Sequence, residues 1–172
     1  MVETPFRGCQ RKPKQKEKKL NYQEIQKTDE YKNDRNCCTV VASSIVFDTP
    51  FDEMQKYFFN HMGRKRNRGL HFSTVPKKVE KVANHFGYKS TKLNIRDYKK
   101  SGNMTANNCT QYLDKGTYLL GCRGHVLALK NGIVEDWTKG RKHYIKELYK
   151  IEKTGKIVKS SQNFFNQFLE TL

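Results

Sequence analysis

The stretch GTYLLGCRGHVLALKNGIVEDW, residues 116–137, decides the fold. Thr117 to Cys122 and His125 to Lys130 are apolar runs of strand length. Directly after the second run stands Asn131-Gly132, the strongest short hairpin signal, because a type I′ turn needs positive φ at both central residues. Ile133 to Trp137 is then the returning strand. A two-residue turn makes opposed residue numbers sum to 263 (130 + 133), so Leu127 faces Asp136. Opposed residues, and residues two apart on one strand, share a sheet face. His125 therefore has Asp136 as a diagonal neighbour, about 7–8 Å away at the backbone. Glu135 points to the opposite face. The hairpin selects Asp136 to orient His125 and hold one tautomer of its ring.

Upstream the periodicity is helical. Residues 38–47, CTVVASSIVF, fit a buried helix, with Asn33, Asp34 or Asn36 available as its cap. Thr49-Pro50 with Phe51-Asp52-Glu53 opens a second helix running to about Met62. After the basic loop Arg64-Lys65-Arg66-Asn67-Arg68-Gly69, Ser73 or Thr74 with Pro76 starts a third, closed by Gly87 in the left-handed position. Tyr88 to Asn94 reads as a short strand, and Thr105 as the cap of a brief helix through Cys109 to Leu113. Beyond the hairpin, His143–Ile151 and Lys156–Val158 extend the sheet, and Ser161 or Gln162 begins a terminal helix. Helices first and an antiparallel sheet afterwards define an α+β domain.

The chain has 172 residues, enough for one domain that needs no disulfide or metal to fold. Its apolar share is lean at 35%, against about 45–50% in typical globular chains, so part of it is expected to be tail. That part is the N-terminus. Residues 7–20 carry seven Lys/Arg and one Glu, a local charge of 7 − 1 = +6, and cannot bury enough apolar surface to order themselves. The chain thus divides into a basic arm over residues 1–30 and a folded domain over 31–172. The net charge of +17 attracts polyanions. Candidate contacts for nucleic acid or an acidic partner are Arg11, Lys12, Lys14, Lys16, Lys18 and Lys19 on the arm, with Arg64, Lys65 and Arg66 on the loop. No apolar run is long enough to span a membrane, and Met1 to Leu20 lacks a signal-peptide core, so a cytoplasmic or virion location is expected. Five cysteines without framework spacing read as reduced thiols.

A free thiol near pKa 8.5 is a poor nucleophile at neutral pH, and a helix N-terminus or an imidazolium lowers that value. Cys38 stands where its helix begins; His125 opens a strand; Asp136 lies across the hairpin. A cysteine in an apolar helix is usually a core residue and a strand histidine usually a structural one, so their joint placement carries the weight. Asn36-Cys37-Cys38-Thr39-Val40-Val41-Ala42 resembles the cysteine helix of papain-like peptidases, and in particular of compact bacterial and phage members related to bacteriocin-processing peptidases. Gly116-Thr117-Tyr118-Leu119-Leu120, Gly124-His125-Val126-Leu127-Ala128-Leu129 and Asn131-Gly132-Ile133-Val134-Glu135-Asp136 are similar to the strand segments of the same group. The likeness spans roughly residues 33–140.

The resemblance implies a papain-like fold and a thiol hydrolase acting on a protein or peptide substrate without a cofactor or metal. Cys38 would be nucleophile, His125 general base and then acid, and Asp136 the orienting carboxylate. The spacing to Ala42 selects Cys38 over Cys37. Papain-like enzymes place a glutamine six residues before the nucleophile, whereas this chain has Lys32; Asn33 or Asn36 would then supply the oxyanion donor, beside the Cys38 backbone N–H. Two other readings are weighed against this one. Cys122-x-x-His125 has the spacing of a zinc ligand pair. A basic binding or packaging protein without catalysis would use the stretch 137–159, with eight Lys/Arg, two Glu and the aromatics Trp137, Tyr144 and Tyr149.

Overall fold

A computed structural model describes residues 20–98, 103–138 and 140–154. Two single-turn helices come first, α1 (Tyr22–Ile25) and α2 (Asp29–Lys32). The side chains of Asn21 and Thr28 accept the orphan backbone N–H groups of Glu24 and Tyr31 at their starts. Tyr22 and Ile25 are buried in the main core. The folded body thus begins before residue 31, which corrects the expected boundary at 30. Residues 1–19 of the basic arm lie outside the described residues, as do the strand expected at Lys156–Val158 and the terminal helix.

Helix α3 (Cys38–Val46) is mostly apolar, and Thr39 to Val46 are all buried, the small polar Thr39, Ser43 and Ser44 included. Such a helix belongs at the centre of a core. None of the expected caps serves it. Cys37 occupies the cap position without a side-chain bond, Asn36 turns the chain at φ +56°, and Asp34 is committed elsewhere. Helix α4 (Phe51–Met62) buries Phe51, Met54, Tyr57 and Phe58 on one face, with Pro50 as its cap and Asp52 and Glu53 in the first turn. Helix α5 (Pro76–His85) buries Val79, Val82 and Ala83, and the chain leaves it through Gly87 at φ +78°.

The sheet has five strands, β1 (Tyr88–Leu93), β2 (Thr117–Cys122), β3 (His125–Lys130), β4 (Ile133–Glu135) and β5 (Glu147–Lys153), in the order β1-β5-β2-β3-β4. Every neighbouring pair is antiparallel, so the architecture is α+β as expected. Leu119, Val126, Ala128, Tyr149 and Ile151 pack against the helices. Leu120, Cys122, Leu127, Leu129 and Leu148 pack on Met104, Ala106, Cys109, Leu113 and Ile145. With both faces covered, the central strands need apolar side chains at every position, which explains why TYLLGC and HVLALK do not alternate.

Lys130 pairs with Ile133 and Ala128 with Glu135, and Asn131 and Gly132 have φ of +54° and +80°, which is the type I′ register read from the sequence. Strand ends differ from expectation most at β4 and β5. β4 stops at Glu135, and β5 starts at Glu147 instead of His143. The segment before β5 serves the 103–113 loop: the Ala106 N–H donates to the His143 carbonyl, and the Ile145 N–H to that of Met104. Thr105 accordingly bridges to Tyr144 and starts no helix; only a 3₁₀ turn, Cys109–Gln111, comes after it. Among the described residues no helix is long and apolar enough to cross a membrane.

Candidate active site

The first residue of α3, Cys38, meets the first residue of β3, His125, at one end of the sheet. His125 Nε2 lies 3.0 Å from Asp136 Oδ2, as the hairpin parity required. Asp136 is fixed in turn: its Oδ2 accepts the Thr138 backbone N–H at 2.7 Å and the Thr138 hydroxyl. The carboxylate side chain is 1% exposed and the imidazole 10%, so the bond is shielded from water. Trp137 supplies part of that shield, edge-on to the His125 ring with centroids 4.7 Å apart. Tyr22 of α1 packs against Trp137. With Nε2 turned to Asp136, the other ring nitrogen is left for the Cys38 thiol, which lines the same cleft as His125.

These contacts separate the titrations of the cysteines. Burial opposes ionisation of Cys38, but the His125 hydrogen bond and charge outweigh it, helped by the Val126 backbone N–H and the Thr39 hydroxyl, and the thiol pKa falls below its ordinary value. Burial likewise opposes the charged form of His125, yet the Asp136 and Cys38 hydrogen bonds and charges raise its pKa to about 9. The two shifts draw the pair toward thiolate and imidazolium. Cys37, one residue away, is pushed up to about 12 by burial and the Asp34 carboxylate. Burial and the Asp136 charge take Cys122 to about 12, and burial raises Cys109. Among the described residues, only Cys38 has the environment of a nucleophilic thiol.

A cleft of about 260 Å³ opens over Cys38 and His125, walled by Leu70, Phe72, Gly124 and Val126 among others. A larger hollow, about 610 Å³ between Lys92–Arg96 and Ile145–Glu147, holds neither cysteine nor histidine. The outer wall of the cleft, residues 69–74, is held by two devices. The Tyr149 hydroxyl donates to the Ser73 carbonyl at 2.7 Å, and Gly121 lets that wall approach β2: a Cβ there would stand 2.5 Å from Ser73 Oγ and 2.9 Å from Glu147 Cβ.

The asparagines expected to serve the oxyanion are not at the cleft. Asn33 Nδ2 donates to the Asp29 carbonyl at 2.9 Å and Asn36 Nδ2 to the Asn67 carbonyl at 3.2 Å, and neither lines the cavity. The first amides of α3, whose N–H groups have no intrahelical acceptor, face that end of the helix instead. Arg64 is likewise no polyanion contact. Its guanidinium grips Asp34 through Nη1 (2.6 Å) and Nη2 (2.9 Å), and both side chains are fully buried. Asp34 also accepts from Gln55 Nε2 and the Asn67 backbone N–H. This clamp fixes the loop that delivers Cys38. Lys65 and Arg66 are exposed, with Arg66 Nε donating to the Asn33 carbonyl. Arg11, Lys12, Lys14, Lys16, Lys18 and Lys19 lie outside the described residues.

Of the aromatics read as a stacking platform, Tyr149 is buried in the core and Trp137 is engaged with His125; Tyr144 stands half-exposed on the surface. Among the described residues no group of three or more His, Cys, Asp or Glu side chains is arranged to hold a metal ion. No sequence signal singles out His143, yet its ring lies 5.4 Å from that of His125. Trp137 and Thr138 also escape sequence reading as supports of the pair, although both directly succeed Asp136. Comparison of the chain with protein-family models, curated proteins and solved structures gave no significant match.

Proposed function

We propose that this chain is a thiol hydrolase of the papain-like kind, with Cys38 as nucleophile, His125 as acid–base and Asp136 as the group that orients and charges the ring. The observation that carries the reading is the meeting of Cys38 and His125 at one cleft, with the buried Asp136 carboxylate 3.0 Å from His125 Nε2; the lowered Cys38 pKa and raised His125 pKa draw the pair toward thiolate and imidazolium. The thiolate attacks a peptide or amide carbonyl, forming a C–S bond and an oxyanion that faces the first amides of α3. His125 gives its proton to the leaving nitrogen as the C–N bond breaks, leaving a thioester. Neutral His125 then takes a proton from water; the hydroxide adds to the thioester carbonyl, the C–S bond breaks, and the acid product leaves with thiolate and imidazolium restored. Residues 69–74 and Gly124 flank the reacting atoms.

The test is alkylation by iodoacetamide at pH 6 with subsequent peptide mapping. Selective labelling of Cys38, lost in His125→Ala, is expected. Equal labelling of the thiols, or labelling indifferent to His125, overturns the reading.

A further inference from the structure

The charges around the cleft are one-sided. Residues 64–79, which include the outer wall at 69–74, contain Arg64, Lys65, Arg66, Arg68, Lys77 and Lys78 and no Asp or Glu. Residues 115–134, which include Cys122 and Gly124 to Val126 of the inner wall, contain Lys115, Arg123 and Lys130 and again no acid. Most of these cations are spoken for or remote. Arg64 is clamped on Asp34, Arg66 on the Asn33 carbonyl, Lys78 on the His71 carbonyl, and Lys130 pairs with Asp48.

Two are not. Arg68 immediately precedes Gly69 of the outer wall, and Arg123 stands between Cys122 and Gly124 of the inner wall. Both are exposed, and neither guanidinium has a hydrogen bond or ion pair among the described residues. The acids nearby are taken: Glu147, which packs beside Gly121, is paired with Lys92 at 2.7 Å, and Asp136 holds His125. Guanidinium is the side chain best suited to bind a carboxylate through two parallel N–H donors.

We infer that the substrate is an acidic peptide, whose Asp or Glu side chains flanking the cleaved bond pair with Arg68 on one wall and Arg123 on the other. The inference rests on the hydrolase reading and adds to it the class of chain cleaved. A polynucleotide fits less well, because of the three aromatics that stacking would use Tyr149 is buried in the core and Trp137 packs on His125, which leaves Tyr144 alone on the surface.

The test measures alkylation rates of Cys38 in the full chain, by intact mass and peptide mapping, with three reagents: bromoacetyl-Gly-Glu-Glu amide, its neutral Gln-Gln counterpart and its Lys-Lys counterpart. Each forms a thioether and releases bromide. At low salt the Glu-Glu reagent is expected to react roughly three- to tenfold faster than the Gln-Gln one, as two exposed pairs allow, and the Lys-Lys reagent more slowly than either. The ratio should fall as salt screens the charges. The double variant Arg68→Ala/Arg123→Ala should bring the ratio close to one. Lys115→Ala, at the far end of β2, should leave it unchanged.

Equal rates for the three reagents, or a ratio insensitive to the double variant, overturn the inference while selective iodoacetamide labelling of Cys38 still upholds the hydrolase. Loss of that selective labelling overturns both. Protection of Cys38 by a dT oligomer at lower concentration than by a Glu-rich peptide, dependent on Arg68 and Arg123, overturns the acidic peptide in favour of nucleic acid.

Discussion

His125 and His85 both rest against aromatic rings, Trp137 at 4.7 Å and Tyr57 at 4.3 Å, and their neighbourhoods drive them in opposite directions. At the junction of α4 and α5, burial and the adjacent His61 lower the His85 pKa, and the more distant Glu53 does not reverse it. At the end of the sheet, burial again works against the cation, but a fixed carboxylate and a thiol overcome it and the His125 pKa rises to about 9. Burial beside a second histidine therefore disfavours the imidazolium. A proton-holding histidine needs Asp136 on a rigid hairpin, with Thr138 pinning the carboxylate. Cys37 and Cys38 repeat the lesson within one peptide unit: burial raises the first, and contact with His125 lowers the second.

Breaking the difference at its source should have the largest effect. Asp136→Asn keeps the shape but removes the charge, so activity on a cleavable acidic peptide should fall by about 10²–10⁴-fold. The His125 pKa should fall with it. Because the imidazolium is the protonated form, the alkaline limb of the wild-type activity profile should lie near pH 9, where His125 titrates, and move to lower pH in this variant. A profile whose alkaline limb stays in place contradicts the assignment of Asp136.

Asp34→Ala tests whether the loop before α3 is what holds Cys38 apart from Cys37. It leaves the Arg64 cation buried without its partner, a loss of about 3–5 kcal/mol, measurable as a lower denaturant midpoint. Stability within about 0.5 kcal/mol of wild type, the range of an ordinary surface change, would mean that the clamp is dispensable. Gly121→Ala should cost about 1–3 kcal/mol by crowding Ser73 and Glu147, with slower Cys38 alkylation as the cleft wall shifts; unchanged melting contradicts the close approach. The smallest effect is expected from His85→Ala, a surface change worth about 0.5 kcal/mol or less. It should leave the pH dependence of Cys38 alkylation untouched, and a shifted dependence would mean that the two histidine regions are coupled.

The sequence made the hairpin legible because its determinants are local. Asn131-Gly132 sets the turn, the turn sets the register, and register parity places Asp136 beside His125. The apolar run 38–47 likewise announced α3 with no tertiary information. The features that escaped depend on residues far apart in the chain. Arg64 reads as one more cation in a basic loop; its buried partner Asp34 lies thirty residues away, and nothing local marks the pair. The Asn33 and Asn36 amides have the right chemistry and sit near the nucleophile in sequence, but a turn at Asn36 and bonds to the Asp29 and Asn67 carbonyls direct them away from the cleft. Tyr149 looks like a surface aromatic among lysines until both faces of β5 are known to be covered.

The proposed hydrolase needs Cys38 as a thiolate beside protonated His125 at neutral pH. The most direct measurement is the thiolate absorbance in the ultraviolet, tracked against pH as the difference between the wild-type chain and Cys38→Ala. A thiolate signal already present at neutral pH, and displaced to higher pH by His125→Ala, is the result expected. A signal that appears only at the ordinary pKa of a free thiol, with or without His125, contradicts it.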